Sequence, residues 1–400
     1  MCAGNHYPVI PYCLNIHRTE TLADVYAALE HATCAVKARV AADKPYPVGL
    51  RLSAGAAKEL VQEEALEQFG AFLDERQMFV SGINGFPYGA FHGVPVKTAV
   101  YQPDWSTIER FSYTCNLAGI LGGLLPKDAI GSITTSPLTY QRPLSDDTKQ
   151  KLYARQITMI ALLLDTLRRE VGTEILLAIE PEPDCLLEDT DTFINWFESE
   201  LLYEGKRWMS DHQRRTPEEA EAILRRHVGI CFDTCHFALA FEDPLAALRR
   251  IERAGIRIAR VQLSAALRTT ISDSSLNALT AFVEPVYLHQ TRIRMPRRDL
   301  IRYPDLTTET LTVMKPYMGG ELRTHFHVPL FWEGSDVIGT THGDLSPAFF
   351  AHIAAQGYPL ETETYTFDVL PAELRAQDVV EHLVKETVWV TDRLKGSRQE

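Results

Sequence analysis

Short apolar or β-branched runs alternate with long amphipathic stretches along most of the 400-residue sequence. This alternation is typical of βα units, in which a helix returns the chain so that the next strand pairs in parallel. The sequence predicts eight such strands, at residues 12–16, 48–52, 78–83, 130–135, 175–180, 228–233, 258–263 and 360–364. Eight βα units in series predict an α/β fold of the (β/α)8 TIM-barrel type, with residues 1–400 forming a single domain.

The interval between the last two predicted strands is much longer than the others. Residues 264–359 separate them, and we expect a long insertion there, at about residues 270–335. The insertion contains a strand-like run of its own at residues 322–331. In a barrel, the loops at the carboxyl ends of the strands build the active site, so the insertion is expected at that face.

The composition argues against several classes of function. A formal net charge of −13 repels nucleic acid and anionic membrane surfaces, so a small-molecule metabolite is the favoured partner. The seven cysteines include no C-x-x-C pair, which is typical of reduced thiols in the cytoplasm. No signal peptide or membrane-spanning run is recognisable, and direct membrane insertion is not expected.

Acids and a histidine fall at the predicted carboxyl ends of two neighbouring strands, in ILLAIEPEPD and GICFDTCHFA. Glu180 follows an apolar run, where a carboxylate is costly to bury unless a cation pairs with it. Asp233 and His236 form a D-x-x-H pair at the next strand end. Such oxygen and nitrogen donors suit a divalent ion. The alternatives are an exposed acid at Glu180, a helix cap at Asp233 and an ordinary loop histidine at His236.

Two further histidines and an acid extend this pattern. His325 and His327 are two apart in the strand-like run LRTHFHVPLF, so both would point to one side and could converge on a metal. A solvated strand face is the alternative. Glu361 and Glu363 share one face of the eighth predicted strand, and Glu363 is the preferred ligand because it lies nearer the rim.

Several other polar residues follow predicted strands. His17 follows the first strand, Asn84 and His92 follow the third, and Lys97 lies in the same loop. Each is a candidate substrate-binding residue, with a plain surface or core role as the alternative. His289 in the insertion is a candidate metal ligand. The string GINGFPYGAFHG lacks the context of a phosphate-binding loop, and we interpret it as a mobile active-site loop.

At these residues the sequence resembles the xylose isomerase-like TIM-barrel superfamily, which includes sugar isomerases, ketose 3-epimerases and zinc apurinic endonucleases. Its strand-five glutamate looks like Glu180, and its D-x-x-H looks like the Asp233 to His236 string. Its last ligand, a glutamate before a small and an aromatic residue, looks like Glu363. The resemblance implies a divalent metal ion (Mn, Zn, Mg or Co) held by these acids, with His236 contacting substrate.

The superfamily's strand-seven histidine ligand corresponds to Gln262 in VQLSAALR, where Arg268 matches an arginine that binds substrate oxygens. A carboxamide is a weaker ligand than an imidazole for transition metals. We therefore expect Gln262 to be a weak ligand, with His289, His325 or His327 supplying the missing nitrogen.

More narrowly, the strings YCLNIH, IEPEPD, CFDTCHFA and HFHVPLF resemble the EboE-type metabolite-traffic proteins. This resemblance implies a role in making, modifying or handing over a small metabolite. It also implies a membrane protein of the same operon as a partner.

Together these features predict a metal-dependent isomerase, epimerase or related lyase that acts on a polyhydroxylated or cyclitol-like small molecule. Glu180 and Glu363, on opposite sides of the substrate, would exchange a proton with the carbon next to a carbonyl group. His236 and Arg268 would orient the substrate oxygens. The alternative is a non-catalytic protein that binds a metabolite and delivers it to a membrane partner.

Overall fold

A computed structural model describes residues 9–141, 147–375 and 378–397 and contains the predicted barrel. Its strands are β1 (Tyr12–Cys13), β2 (Tyr46–Arg51), β3 (Met78–Asn84), β4 (Ile130–Thr135), β5 (Glu174–Ile179), β6 (Val228–Asp233), β7 (Arg257–Leu263) and β13 (Leu360–Thr362). They form one parallel sheet in the order β1-β2-β3-β4-β5-β6-β7-β13. Because β13 also lies beside β1, the sheet curls almost into a closed ring. The predicted fold class is confirmed.

Helices connect the strands, and most of them pack around the outside of the ring. They are α1 (Leu22–Ala28), α2 (Cys34–Val40), α3 (Ala54–Leu60), α4 (Glu63–Glu75), α5 (Ile108–Leu124), α6 (Asp147–Glu170), α7 (Thr190–Trp196), α8 (Leu202–Gln213), α9 (Pro217–His227), α10 (Thr234–Leu239), α11 (Pro244–Arg253), α12 (Asp273–Leu279), α13 (Thr308–Val313), α14 (Pro347–Gln356) and α15 (Val379–Gly396). A π-helical turn joins α1 to α2, and another joins α7 to α8. No helix among the described residues combines the length and apolarity needed to span a membrane.

The local sequence accounts for these elements. All of β6, and all but the first residue of β5, are buried, because a parallel strand is covered by helices on one face and by the barrel interior on the other. Helix α9 begins with a capping box, in which Thr216 and Glu219 satisfy each other's backbone N–H groups, and with Pro217 in its first turn. This cap fixes the point at which α9 begins after the preceding turn.

A second sheet forms from the residues between β7 and β13. Its strands are β8 (Leu267–Thr270), β9 (Thr291–Arg294), β10 (Ile301–Tyr303), β11 (Glu321–Thr324) and β12 (Gly339–Thr340). They are antiparallel and lie in the order β10-β9-β11-β8-β12. The strand predicted at residues 322–331 is wrong in length, since β11 ends at Thr324 and both histidines of the H-x-H pair lie beyond it.

Candidate metal centre

Three acids from three different barrel strands meet at the carboxyl end of the ring. Glu180 directly follows β5, Asp233 is the last residue of β6, and Glu363 directly follows β13. One carboxylate oxygen of each lies within 4.8 Å of the other two. All three side chains are buried. The structure therefore brings together the three acids that the sequence pattern singled out as metal ligands.

Two of these acids keep an oxygen that nothing satisfies. Asp233 Oδ1 accepts hydrogen bonds from the Cys235 backbone N–H at 2.7 Å and the Ser264 hydroxyl at 2.6 Å, whereas its Oδ2 has no partner among the described residues. Glu363 Oε1 accepts from Asn15 Nδ2 at 2.6 Å, and its Oε2 likewise has none. A buried acceptor without a partner is costly, and a cation beside the two free oxygens would remove that cost.

The charges of the three acids oppose one another. Burial, followed by the charges of Glu363 and Asp233, raises the pKa of Glu180 well above its usual value. Burial, followed by the charge of Asp233, does the same to the pKa of Glu363. Burial also acts to raise the pKa of Asp233, but His236 and His327 outweigh it and hold that pKa below the usual value. Without a cation, then, burial and mutual repulsion favour the protonated form of the two glutamates.

Three imidazole rings face each other beside the acids. The Nε2 atom of His325 lies 3.1 Å from Nε2 of His236 and 3.3 Å from Nε2 of His327. Asp233 joins His236 and His327 in one group of potential ligand atoms lying within 4.8 Å of one another. The carboxylate and imidazole donors thus form one continuous cluster, which we call the metal centre: Glu180, Asp233, His236, His325, His327 and Glu363.

The hydrogen bonds of these rings fix their tautomers. Nδ1 of His236 lies 2.9 Å from the Pro181 carbonyl oxygen, and Nδ1 of His327 lies 2.9 Å from the Glu363 carbonyl oxygen. Nδ1 of His325 lies 2.7 Å from the side-chain oxygen of Gln290. Because all three partners are acceptors only, each Nδ1 carries the hydrogen and donates it.

It follows that all three Nε2 atoms carry a lone pair, and that of His325 faces those of His236 and His327. The Tyr365 hydroxyl, 3.4 Å from Nε2 of His325, is a long and weak donor to it. A proton on one Nε2 could relieve part of the repulsion, but burial lowers the pKa of His236 to about 4 and also lowers the pKa of His325 and of His327. The rings are therefore neutral at physiological pH. Neutral imidazoles whose Nδ1–H groups are held by protein carbonyls are the usual arrangement of metal-binding histidines.

Two further side chains with ligand atoms border the metal centre and were not singled out from the sequence. Glu182 groups with His236 and His325, and Cys235 groups with His325 and His327. Burial raises the pKa of Glu182 to about 8, and its Oε2 has no partner among the described residues. Glu182 could have been recognised from the sequence, because it is the second acid of the E-P-E-P string that begins at Glu180.

Three residues expected to contribute to the site are not part of the metal centre. Gln262 accepts a hydrogen bond from the thiol of Cys231 at 2.9 Å through its Oε1, so that oxygen is already used inside the barrel. Both ring nitrogens of His289 are engaged, one 2.6 Å from Glu284 and the other 2.7 Å from a backbone carbonyl.

Arg268 departs furthest from its expected place. It belongs to β8 of the second sheet, forms an ion pair with Asp344 at 3.0 Å, and lines a surface groove of that sheet rather than the central cavity. The structure therefore places Arg268 outside the metal centre, because β7 ends at Leu263 and Arg268 already belongs to the second sheet.

The weaker candidates surround the metal centre rather than form it. The two ring nitrogens of His92 contact the Asn15 carbonyl and the Tyr287 hydroxyl, each at 2.6 Å. His17 stacks on Tyr12 and hydrogen bonds to its hydroxyl. Neither ring lines the cavity.

Lys97 does line the cavity, with its ammonium group 2.7 Å from Asp305. Asn84 lies deeper in the barrel, where it hydrogen bonds to Glu361 and Arg260. Asn84 is therefore placed below the region that a substrate could reach.

A small cavity opens above the metal centre. Glu180, His236, His325, His327 and Glu363 line its floor, whereas Asp233 does not reach it. Residues 85–101, which we call the cover segment, form much of the remaining wall together with Tyr287 and Leu288 of the second-sheet region. The space open to water is about 50 Å³. Of the Gly-rich string predicted as an active-site loop, residues 82–84 end β3 and residues 85–93 belong to this cover segment. The mobility of the string stays a prediction.

The placement of Glu180 and Glu363 on opposite sides of a substrate stays a prediction. One carboxylate oxygen of each belongs to the group within 4.8 Å, and both residues line the floor of the cavity. The two glutamates can therefore share a metal ion or reach one reacting carbon.

A second buried polar cluster, which we call the inner ion pair, lies below the metal centre. Arg260 Nη1 contacts Glu361 at 2.9 Å and the Asn84 side-chain oxygen at 2.8 Å. Its Nε and Nη2 atoms donate to the Ser132 hydroxyl and carbonyl at 3.2 and 3.1 Å. Asn84 in turn donates to both oxygens of Glu361. This cluster satisfies its own hydrogen-bonding groups.

The comparisons with known proteins support the fold. No family model matches the chain, and no curated protein is detectably similar in sequence. Among solved structures, a xylose isomerase-like TIM-barrel protein from Mycobacterium smegmatis in complex with magnesium is 10% identical, with a TM-score of 0.52 and coverage of 98% of this chain and 99% of that one. At this identity the likeness shows that the chain adopts the xylose isomerase-like TIM-barrel fold.

Two further solved structures are similar at lower TM-scores. An IolI protein with a bound zinc atom is 10% identical, with a TM-score of 0.49 and coverage of 97% and 99% of the two chains. A xylose isomerase domain protein from Planctomyces limnophilus is 14% identical, with a TM-score of 0.47 and coverage of 92% of each chain.

Proposed function

We propose that this chain is a metal-dependent enzyme that moves a proton on a small oxygenated molecule, as isomerases, epimerases and related lyases do. One observation carries the proposal: three Nε2 lone pairs converge beside three buried carboxylates, two of which keep an unsatisfied oxygen. Such an arrangement is unfavourable by itself and becomes favourable around a cation.

The donor set narrows the choice of ion. Asp233, His236 and His327 would hold it through one oxygen and two nitrogens, with His325, Glu180 and Glu363 in reach. Imidazole nitrogens favour Zn²⁺, Mn²⁺, Co²⁺ or Fe²⁺ over Mg²⁺, which prefers oxygen ligands and water. When bound, such an ion would polarise a carbonyl oxygen of the substrate and make the neighbouring C–H group more acidic.

The side chains of this chain would then carry the proton. Glu180 and Glu363 line the floor of the cavity, so a bound molecule would touch both, whereas Asp233 lies behind them. We assign proton transfer to these two glutamates, and metal anchoring to Asp233, whose Oδ1 is fixed by Cys235 and Ser264. His236, on the same floor, would orient a substrate oxygen.

The finer parts of the proposal rest on the sequence resemblance. A polyhydroxylated or cyclitol-like metabolite is the substrate class that the superfamily implies. A role in metabolite traffic beside a membrane protein is what the EboE-type strings imply.

The first test is elemental analysis of protein purified without chelator. The proposal expects close to one equivalent of a transition metal per chain. The second test is exchange of substrate carbon-bound hydrogen with D2O, followed by NMR on small ketoses and keto-cyclitols. Glu180→Gln should abolish this exchange while the protein stays folded, and Glu333→Gln, at a side chain that is 77% exposed, should leave it unchanged. Unchanged exchange in Glu180→Gln would remove the proton-transfer role.

A carrier without catalysis is the second candidate, favoured by one observation. The position where the superfamily has a histidine ligand holds Gln262, whose Oε1 is already bonded to Cys231. A protein that purifies free of metal, yet binds a metabolite, would favour this candidate over an enzyme.

A further inference from the structure

The cavity has two chemically different halves. Its floor is the metal centre, but the rest of its wall is largely apolar. Phe91, Val96, Tyr287 and Tyr365 form one small hydrophobic cluster there. Phe86 belongs to another cluster on the same wall. All five side chains are buried. A molecule that reaches the metal centre must therefore contact these groups.

The polar side chains of the apolar half already have partners, whereas the lining oxygens outside the metal centre that have no partner among the described residues, Asn15 Oδ1 and Glu182 Oε2, belong to residues that contact it. The Lys97 ammonium group contacts Asp305 at 2.7 Å and the Glu284 carbonyl at 3.0 Å. The Tyr287 hydroxyl lies 2.6 Å from a ring nitrogen of His92. On the floor side, the Tyr101 hydroxyl donates to Glu182 at 2.7 Å and accepts from Gln290 at 2.9 Å. A substrate hydroxyl group placed against the apolar half would therefore find almost no free hydrogen-bond partner, whereas one placed near the floor would.

The cover segment is tied in place over this apolar half. The backbone N–H groups of Val96 and Lys97 both donate to the Val286 carbonyl, at 2.8 and 3.0 Å. The rings of Phe91 and Tyr287 lie 5.3 Å apart, and those of Tyr287 and Tyr365 lie 4.9 Å apart. With about 50 Å³ open to water, the cavity leaves no room for a layer of water between ligand and wall.

These observations bear on the substrate class. Aromatic faces can pack against the C–H groups of a sugar, but a buried hydroxyl that loses water must find another partner or binding weakens. A free polyol has hydroxyls on every side, and only those facing the floor would be satisfied. An apolar ring with oxygens along one edge satisfies both halves of the cavity.

We propose that the substrate presents two adjacent oxygens to the metal centre and a flat, apolar ring to the cover segment. This inference rests on the proposed function, because it takes the metal centre as the oxygen-binding half. It replaces the free polyol with an aromatic or cyclic compound whose hydroxyl and carbonyl groups are neighbours on one edge.

Calorimetry on the full chain loaded with Mn²⁺ tests this directly, after the affinity for Mn²⁺ alone has been measured. The probes are catechol, which has the oxygenated edge and the flat ring, myo-inositol, which has hydroxyls all round, and phenol, which lacks the second oxygen. We expect catechol to bind at least about tenfold more tightly than myo-inositol or phenol. Equal or tighter binding of myo-inositol would overturn the inference. Failure to bind Mn²⁺ would instead contradict the proposed function.

A matched pair of variants tests whether the apolar half of the cavity contributes to catechol binding. Val96→Thr places a hydroxyl of the same size in the apolar half, whereas Val94→Thr makes the same change at a side chain of the cover segment that is 43% exposed. Val96→Thr should weaken catechol binding about three- to tenfold without changing the affinity for Mn²⁺, and Val94→Thr should change neither. Equal catechol affinities in the two variants would overturn the inference.

Discussion

Two buried polar clusters lie one above the other in the barrel, and they differ in whether the protein completes them. In the inner ion pair, the guanidinium of Arg260 is matched by Glu361, Asn84 and Ser132. In the metal centre, Asp233 and Glu363 each keep a buried oxygen without a partner among the described residues. The ionisable side chains of both clusters are buried.

The difference shows what a cation would add. A buried charge is tolerated when an opposite charge and hydrogen bonds surround it, as they surround Arg260. The metal centre contains three acids and three neutral imidazoles but no arginine or lysine among its members. We infer that Arg260 provides the positive charge of the inner ion pair, and that a metal ion taken from the surroundings provides the positive charge of the metal centre.

The largest expected effect comes from Asp233→Asn. The amide keeps an oxygen for the bonds from Cys235 and Ser264 but places an N–H2 group where the free carboxylate oxygen was. We expect affinity for Zn²⁺ or Mn²⁺ to fall by about 1,000-fold, or about 4 kcal/mol, with the fold retained. Competition with a fluorescent chelator measures this. A fall of less than tenfold would mean that Asp233 does not anchor the ion.

The matched change in the lower cluster is Glu361→Gln, which leaves Arg260 without its opposite charge. Breaking one side of a buried pair costs about 3–5 kcal/mol, so the free energy of unfolding should drop by that order. Metal affinity should stay within a few-fold of the parent value. Urea unfolding and metal titration together separate the two clusters. If Glu361→Gln weakened metal binding but left the free energy of unfolding unchanged, the two clusters would not be independent.

A smaller effect is expected from Gln290→Leu, which removes the acceptor that holds the Nδ1–H group of His325. Outer partners of metal-binding histidines typically contribute about 10–100-fold in affinity, and we expect a loss in that range. Gln68→Leu, at an exposed helix position, is the control. An unchanged affinity in Gln290→Leu would mean that another contact orients His325.

The smallest effect is a pH dependence of the metal-free protein. Burial raises the pKa of Glu182 to about 8, and the pKa of Glu180 and of Glu363 also lie above their usual values. Here the folded state binds more protons than the unfolded state, so stability falls as pH rises toward 8. His236, with a pKa lowered to about 4, acts in the opposite direction, but only below about pH 6.5.

Between pH 6.5 and 8, then, the melting temperature of chelator-treated protein should drop by about 2–4 °C, and bound metal should reduce that drop. Differential scanning calorimetry with and without Zn²⁺ measures both. A melting temperature that rises over this interval would show that the acids of the metal centre are already ionised and paired.

Much of the barrel and the three acids of the metal centre could be predicted from the sequence. The reason is that the apolar pattern of a strand depends only on neighbouring residues. The strands at residues 130–135 and 228–233 have the predicted bounds. In a parallel barrel, a residue at the carboxyl end of a strand must lie at the rim, so Glu180, Asp233 and Glu363 had to approach each other.

The remaining contacts depend on the path of the chain after β7, which no periodic pattern encodes. His325 and His327 reach the metal centre from a loop rather than a strand, held by Gln290 and the Glu363 carbonyl. Arg268 and His289 lie in the same region but bond elsewhere. Which of several histidines in an insertion turns inward is decided by long-range packing, and that is where residue-by-residue reasoning failed.

The central claim is that the Nε2 atoms of His236, His325 and His327 and the oxygens of Asp233, Glu180 and Glu363 surround one cation site. Anomalous diffraction from a crystal soaked in Zn²⁺ or Mn²⁺ tests it most directly. We predict a single strong peak, bonded to Asp233 and at least two of the three imidazoles at about 2.0–2.2 Å. No peak there, or a peak only at surface carboxylates, would contradict the account.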